Sequence, residues 1–200
     1  MTSTSASSNT SDTQTAIMEA TYQALRKHGY ADLSISKIAE EFEKSKSLLY
    51  HHYDGKDDLL VAFLEYLIDQ FAADITLDAW DDAEAQLRSF FDRLIPPALD
   101  DEQREFQTAL LEIRAQAPHN EVYREQFTKT DRFIRETIEQ YLESGIEQGT
   151  FREVDSEATA QLFLSMINGA ILERVTADNP RAIKDLRSAL NSYIEEYLAA

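Results

Sequence analysis

Apolar side chains recur along this chain at the three-and-four spacing of helices that bury one face. Ile17, Ala20, Ala24 and Leu25 share one side of a helix expected from about Thr13 to His28, with Gly29 stopping it. Ile35, Ile38, Ala39 and Phe42 predict a short second helix that Ser34 or Ser36 can cap. A third runs from Lys46 to about His52 behind a capping Ser45. Gly55 then breaks the chain before a long fourth helix from Lys56, carrying Leu59, Leu60, Phe63, Leu67 and Phe71. After Trp80 the pattern is that of a bundle. Asp81 or Asp82 opens a helix with Leu87, Phe90, Phe91, Leu94 and Ile95, closed by Pro96-Pro97. Another ends near Gln116, and a long one spans Asn120 to Gln148. The last two cover residues 156–177, behind a capping Asp155, and 181–199, behind a start signal at Asn179-Pro180. The fold class is all-α, with about nine helices.

Composition agrees and excludes several classes. Only 5 Gly and 4 Pro stand among 200 residues, as expected of a mostly helical chain. The absence of Cys removes disulfides, thiolate metal sites and cysteine nucleophiles. The opening MTSTSASSNTSD has neither the basic nor the apolar region of a signal peptide and reads as a disordered polar tail. No apolar run is long enough for a membrane. A soluble cytoplasmic protein is expected.

Charge changes the picture more. There are 37 acidic and 19 basic side chains, a formal net charge of -18. Residues 1–56 are nearly neutral: Arg26, Lys27, Lys37, Lys44, Lys46 and Lys56 face seven acidic groups. The acidic excess lies almost wholly in the remaining 144 residues, spread along every helix. Such a surface suits a halophilic cytoplasm, where concentrated salt screens self-repulsion, the alternative being an ordinary acidic bacterial protein.

Residues 33–58, LSISKIAEEFEKSKSLLYHHYDGKDD, have the shape of a helix-turn-helix, whose second helix enters the DNA major groove. In such a motif the first residues of the recognition helix face base edges while flanking groups hold phosphates. Lys46 and Ser47 can bond bases or phosphate. Leu48 either meets a thymine methyl or packs on a neighbouring helix. Leu49 belongs to the core, and Tyr50 offers a hydroxyl to phosphate. Lys56, at the start of the fourth helix, favours an anion, as do Ser34, Ser36 and Lys37 at the second, where one serine is expected simply to cap.

From Ile17 to Leu67 the chain resembles the N-terminal domain of TetR/AcrR-type transcriptional regulators. The matching residues are Ile17, Ala20, Leu25, Gly29-Tyr30, Ser34, Ile38-Ala39, Ser45, Leu49-Tyr50, His52-Tyr53, Lys56 and Leu59-Leu60. Where the family usually has Gly-Val in the corner, this chain has Glu43-Lys44, which turns Lys44 toward solvent or phosphate. The resemblance implies phosphate contacts from Tyr50 and His52; His51 is either a third contact or a surface residue. It implies double-stranded DNA as partner, a homodimer on a near-palindromic operator, and release by a small-molecule effector. It also implies the organisation: tail 1–12, DNA-binding domain 13–55, connecting helix 56–80, and a ligand-binding and dimerisation domain 81–200. Repression is expected on family grounds. The fourth helix would couple the two parts, with Glu65, Tyr66 and Asp69 near the joint.

For pairing, the expected face is Phe163, Ile167, Gly169, Ala170, Ile171 and Arg174 in the last two helices, some of them also intramolecular core. The effector is unidentified; Phe90, Phe106, Leu110, Ile113, Arg114, Tyr123 and Phe127 are candidates to surround it, although each apolar one is more often simply a core residue. Arg114 and His119 suit an anionic effector, and Glu112 and Glu136 a cation. No enzyme is expected, and no cofactor. His28, His51, His52 and His119 form no helical metal pair, and no phosphate loop or nucleophile motif occurs. The alternative is a helical interaction protein that has lost DNA binding.

Overall fold

The computed structural model describes the backbone of residues 4–42, 46–77 and 82–200, and the side chains of 12–42, 46–75 and 82–200. The described residues form nine α-helices and no sheet. They are α1 (Thr4–Asp32), α2 (Ile35–Glu41), α3 (Lys46–His52), α4 (Lys56–Leu77), α5 (Ala83–Leu94), α6 (Asp101–Arg114), α7 (Glu121–Glu147), α8 (Ser156–Thr176) and α9 (Ala182–Tyr193), the last continued by a π turn at Ile194–Leu198.

Local chemistry explains most of the boundaries. Ser34 caps α2, accepting the Lys37 amide at 3.3 Å; Ser36 does not cap. Asp82 caps α5 and Asp155 caps α8 through their side chains. Asp100 and Gln103 form a reciprocal capping box that opens α6. Gly149, with φ 72, closes α7 in the left-handed conformation that glycine adopts without strain.

Three boundaries differ from the sequence expectation. α1 begins at Thr4, not near Thr13, so the polar segment read as a tail carries helical backbone. Its Ser and Thr residues are weak helix formers without an apolar stripe, and only a helix already nucleated further along can propagate through them. Gly29 does not end the helix outright: with φ 64 and ψ 176 it interrupts it, and a short further stretch reaches Asp32. Pro180 is not the first residue of α9, which starts at Ala182; Asn179 instead accepts the Arg181 amide at 3.1 Å and makes a turn before the helix. The expected caps Ser45 and Asp81, and the Glu43-Lys44 corner, lie outside the described residues.

The chain divides into two compact units, residues Met1–Gln70 with Asp100–Phe127, and Phe71–Leu99 with Thr128–Ala200. α6 and the first turns of α7 thus pack with the helix-turn-helix, and α1 packs most extensively on α6. The first core gathers Ile17, Leu25, Ile38, Leu49, Leu59, Leu60, Phe63, Ile113 and Tyr123, all essentially inaccessible to water. The second gathers Leu87, Phe90, Ile138, Leu142, Phe163, Ile167, Leu190 and Ile194. Burying each such side chain contributes about 1.5–3 kcal/mol.

Candidate nucleic-acid interface

Leu49 is the anchor of α3: it is fully buried in the first core, which leaves the opposite face of this seven-residue helix to solvent. Lys46, Ser47, Tyr50, His51 and His52 all lie on exposed positions. Tyr50 is 54% exposed, unusual for a large ring without a partner surface. Leu48 is half-buried and packs against the core, which favours its packing role over a thymine contact.

Lys46 is positioned rather than adrift. Its Nζ donates to Ser36 Oγ at 2.7 Å and lies 5.8 Å from the centre of the Tyr50 ring. One exposed hydroxyl of α2, one ammonium and one phenol of α3 therefore form a continuous polar surface at the recognition helix. The rings of His51 and His52 meet edge to face at 5.6 Å and end α3 with two imidazoles near its carbonyl terminus. Lys27 is engaged elsewhere, its ammonium 2.8 Å from the Glu41 carboxylate.

The other expected anion contacts fare differently. Ser34 spends its hydroxyl on the α2 cap, and Lys37 is half-buried. Lys56 turns inward: Nζ donates to the Tyr30 carbonyl at 2.5 Å and sits 3.9 Å above the centre of the Tyr30 ring. Burial pushes its pKa down, against the opposing pull of Asp57, Asp32 and Glu112. Its ammonium is engaged within the fold by the Tyr30 carbonyl and ring, so a phosphate role for Lys56 requires it to leave this site. Lys44 and Ser45 lie outside the described residues.

The two sets proposed for the C-terminal part also separate. Phe106, Leu110, Ile113, Tyr123 and Phe127 share the first core, whereas Phe90 belongs to the second, against Phe71 and Tyr141. Arg114 lies 5.0 Å from the Phe127 ring centre, a cation over an aromatic face. Glu112 does not await a cation: its carboxylate accepts the Tyr30 amide at 2.8 Å. On α8, Phe163, Ile167 and Ala170 are buried in the second core, Ile171 packs against it, and Arg174 donates to the Pro96 carbonyl at 2.9 Å. Of the expected pairing face only Gly169 is exposed. The outward stripe is instead Leu162, Ser165, Gly169 and Leu172, with both leucines nearly half exposed. Leu162 stands one position from buried Phe163, and Leu172 one position from Ile171, which packs against the core; a 100° rotation is not resolved by periodicity alone on a helix apolar nearly all round.

Sequence reasoning gave no organising role to three residues of the first unit: Tyr30, named only within the family pattern, Asn120, named only as a helix start, and above all Asp57. An acidic residue in the first turn of a helix signals only favourable dipole placement, so nothing in the sequence singled Asp57 out.

Comparison with known proteins agrees with this arrangement. Residues 17–63 match the model of bacterial regulatory proteins of the tetR family, and residues 83–199 match the C-terminal model of BetI-type transcriptional repressors. A TetR transcription regulator from Haloarcula marismortui is 38% identical, with 94% of this chain and 99% of that one covered and a TM-score of 0.85. The HTH-type regulator YfiR of Bacillus subtilis is 24% identical over 190 residues, 94% of this chain and 92% of that one. A transcriptional regulator from Saccharomonospora viridis, solved in complex with choline, shares the fold at 21% identity and a TM-score of 0.80, covering 95% of this chain and 99% of its own. With a helix-turn-helix exposing α3, an all-helical C-terminal part, and these matches along nearly its whole length, the chain belongs to the TetR family of transcriptional regulators.

Proposed function

We propose that this regulator is a repressor that binds a palindromic operator as a homodimer and is released by a small-molecule effector in a cytoplasm rich in salt. The observation that carries the reading is the exposed Ser36–Lys46–Tyr50 surface at the recognition helix, held in place by hydrogen bonding and by Leu49 beneath it. Lysine there supplies a cation to a base edge or phosphate, and the tyrosine a rigid hydroxyl. The Leu162–Ser165–Gly169–Leu172 stripe supports pairing, because small residues between two leucines let a second copy of α8 approach closely.

Salt enters through charge. At a net charge of -18 nonspecific attraction to DNA is weak, and a relative 38% identical comes from Haloarcula marismortui. Base contacts and shape fit then carry more of the affinity than counterion release. One relative of the same fold holds choline. Choline is therefore the first effector to titrate.

The test is a gel shift in concentrated KCl on DNA from upstream of the protein's own coding region. The wild-type chain should shift such a fragment, and Lys46→Ala with Tyr50→Ala should abolish the shift while the helical content and melting temperature stay unchanged. No shift across several upstream fragments would favour the interaction-protein reading, as would a double variant that binds like wild type.

A further inference from the structure

α3 ends at His52 and α4 begins at Lys56, so only residues 53–55 separate the recognition helix from the start of the next. That corner is internally braced: the Tyr53 amide bonds the Leu49 carbonyl at 2.9 Å, and the Asp54 amide bonds Asp58 Oδ2 at 3.1 Å. Asp57, the second residue of α4, is braced from outside. Its Oδ1 accepts the Tyr123 hydroxyl at 2.7 Å and its Oδ2 accepts Asn120 Nδ2 at 3.1 Å.

Both donors stand at the start of α7 and both are held firmly. Asn120 caps that helix, its own Oδ1 accepting the Val122 amide at 3.2 Å. Tyr123 is fully buried and meets the Tyr30 ring edge to face at 6.3 Å. Burial, with the Asp57 carboxylate beside it, pushes the Tyr123 phenol far above its ordinary value, so it remains a donor at every physiological pH. On the other side of the corner, Glu112 of α6 holds the Tyr30 amide, and the Tyr30 carbonyl holds Lys56.

We propose that Asp57 is a positioning residue for DNA recognition: clasped by Tyr123 and Asn120, it sets the angle at which α3 projects, and with it the half-site spacing that two copies of the chain accept. Dipole stabilisation at the α4 terminus accounts for an acid at this place, but not for two donors from a helix more than sixty residues away closing on both its oxygens. Charge-assisted hydrogen bonds are directional, and two on one carboxylate fix orientation as well as distance. Since α7 runs on to Glu147, displacement of its first turn by an effector would reach α3 through this clasp. The inference rests on the DNA-binding dimer reading above.

The test needs no known effector. Purified wild-type chain selects duplexes from a random-sequence pool, and the half-sites obtained are rebuilt with spacers one base pair shorter, unchanged, and one or two longer. One added base pair moves the half-sites about 3.4 Å apart and turns them by about a tenth of a helical turn. Wild type should discriminate against it by about ten-fold, the order of one charge-assisted hydrogen bond. Tyr123→Phe, which keeps the ring, and Asp57→Asn should retain the half-site sequence preference and the fold while that discrimination falls to about two-fold. Variants with wild-type spacing ratios, or with affinity lowered equally at every spacing, would overturn the clasp and leave DNA binding standing. A wild-type chain that selects no paired half-sites would overturn the dimer reading, and the clasp with it.

Discussion

The two units are held together by different means. In the second, aromatic rings follow one another in contact: Phe71 on Phe90, Phe90 on Phe91, Phe91 on Phe163 and Phe163 on Tyr193, with centroids 5.3–6.3 Å apart. Its ion pairs, such as Arg88 with Glu84 and Arg187 with Asp92, lie toward the rim. The first unit mixes aliphatic side chains with rings such as Phe63 and Tyr123, and its corners are in addition fastened by polar groups: Glu112 to Tyr30, Lys56 to Tyr30, Tyr123 and Asn120 to Asp57. Close-packed rings admit few alternative arrangements. A hydrogen bond to a charged group contributes about 1.5–3 kcal/mol net and holds only over a narrow range of angle and distance. The second unit thus rests on close packing of rings, and the first adds directional bonds that fix its corners.

The comparison is broken most directly at Phe163, fully buried between Phe91 and Tyr193. Phe163→Ala should cost about 3–5 kcal/mol, measured by denaturant unfolding. A cost below 1 kcal/mol would mean that the rings do not carry the unit.

Gly145 comes next. A Cβ there would stand 2.1 Å from Phe151 Cδ2, and Phe151 is itself buried, with its amide on the Gly145 carbonyl at 2.9 Å. Gly145→Ala should cost about 3 kcal/mol through overpacking, and calorimetry should show it. A neutral result would show that the Phe151 ring moves aside freely.

The first unit should respond less to its own glycine. Gly29 has φ 64 and ψ 176, a conformation nearly exclusive to glycine, and a Cβ would lie 3.2 Å from Glu112 Oε2. Gly29→Ala should cost about 2 kcal/mol. Amide exchange should place the added opening in α1 and α6; uniform loss through the second unit as well would deny the two units separate mechanics.

The smallest expected effect is alkaline. Tyr30, Tyr53 and Tyr123, all in the first unit, have pKa values raised, first by burial and then by nearby Asp57 or Asp58. Unfolded phenols ionise near pH 10, so this stability is intact below pH 10 and is lost as pH climbs above it. Lys56, lowered by burial, acts in the opposite sense just below its ordinary value, one group against three. Phenolate absorbance should therefore rise together with loss of helical circular dichroism in the first unit. Ionisation of all tyrosines before any loss of helix would contradict the burial of Tyr123.

How much of this was legible beforehand follows from the range of each interaction. The cap of α8 at Asp155 could be read, and those of α2 and α5 narrowed to Ser34 or Ser36 and to Asp81 or Asp82, because a cap bonds an amide two or three residues away; the structure uses Ser34 and Asp82. Leu49 inward and Tyr50 outward could be read because adjacent helix positions face about 100° apart. The inward turn of Lys56 could not, since a lysine at a helix start looks the same whether its ammonium meets a phosphate or the carbonyl of Tyr30, 26 residues earlier.

Periodicity, caps and the Ser34–Tyr50 pattern determined by themselves that the chain is helical and that it presents a recognition helix, because those signals act within a few residues. Only the tertiary structure decided which side of α8 remains outside, that Phe90 and Phe106 belong to different cores, and that Asp57 is grasped from α7. Those outcomes depend on groups far apart in sequence, brought together when the apolar faces are buried.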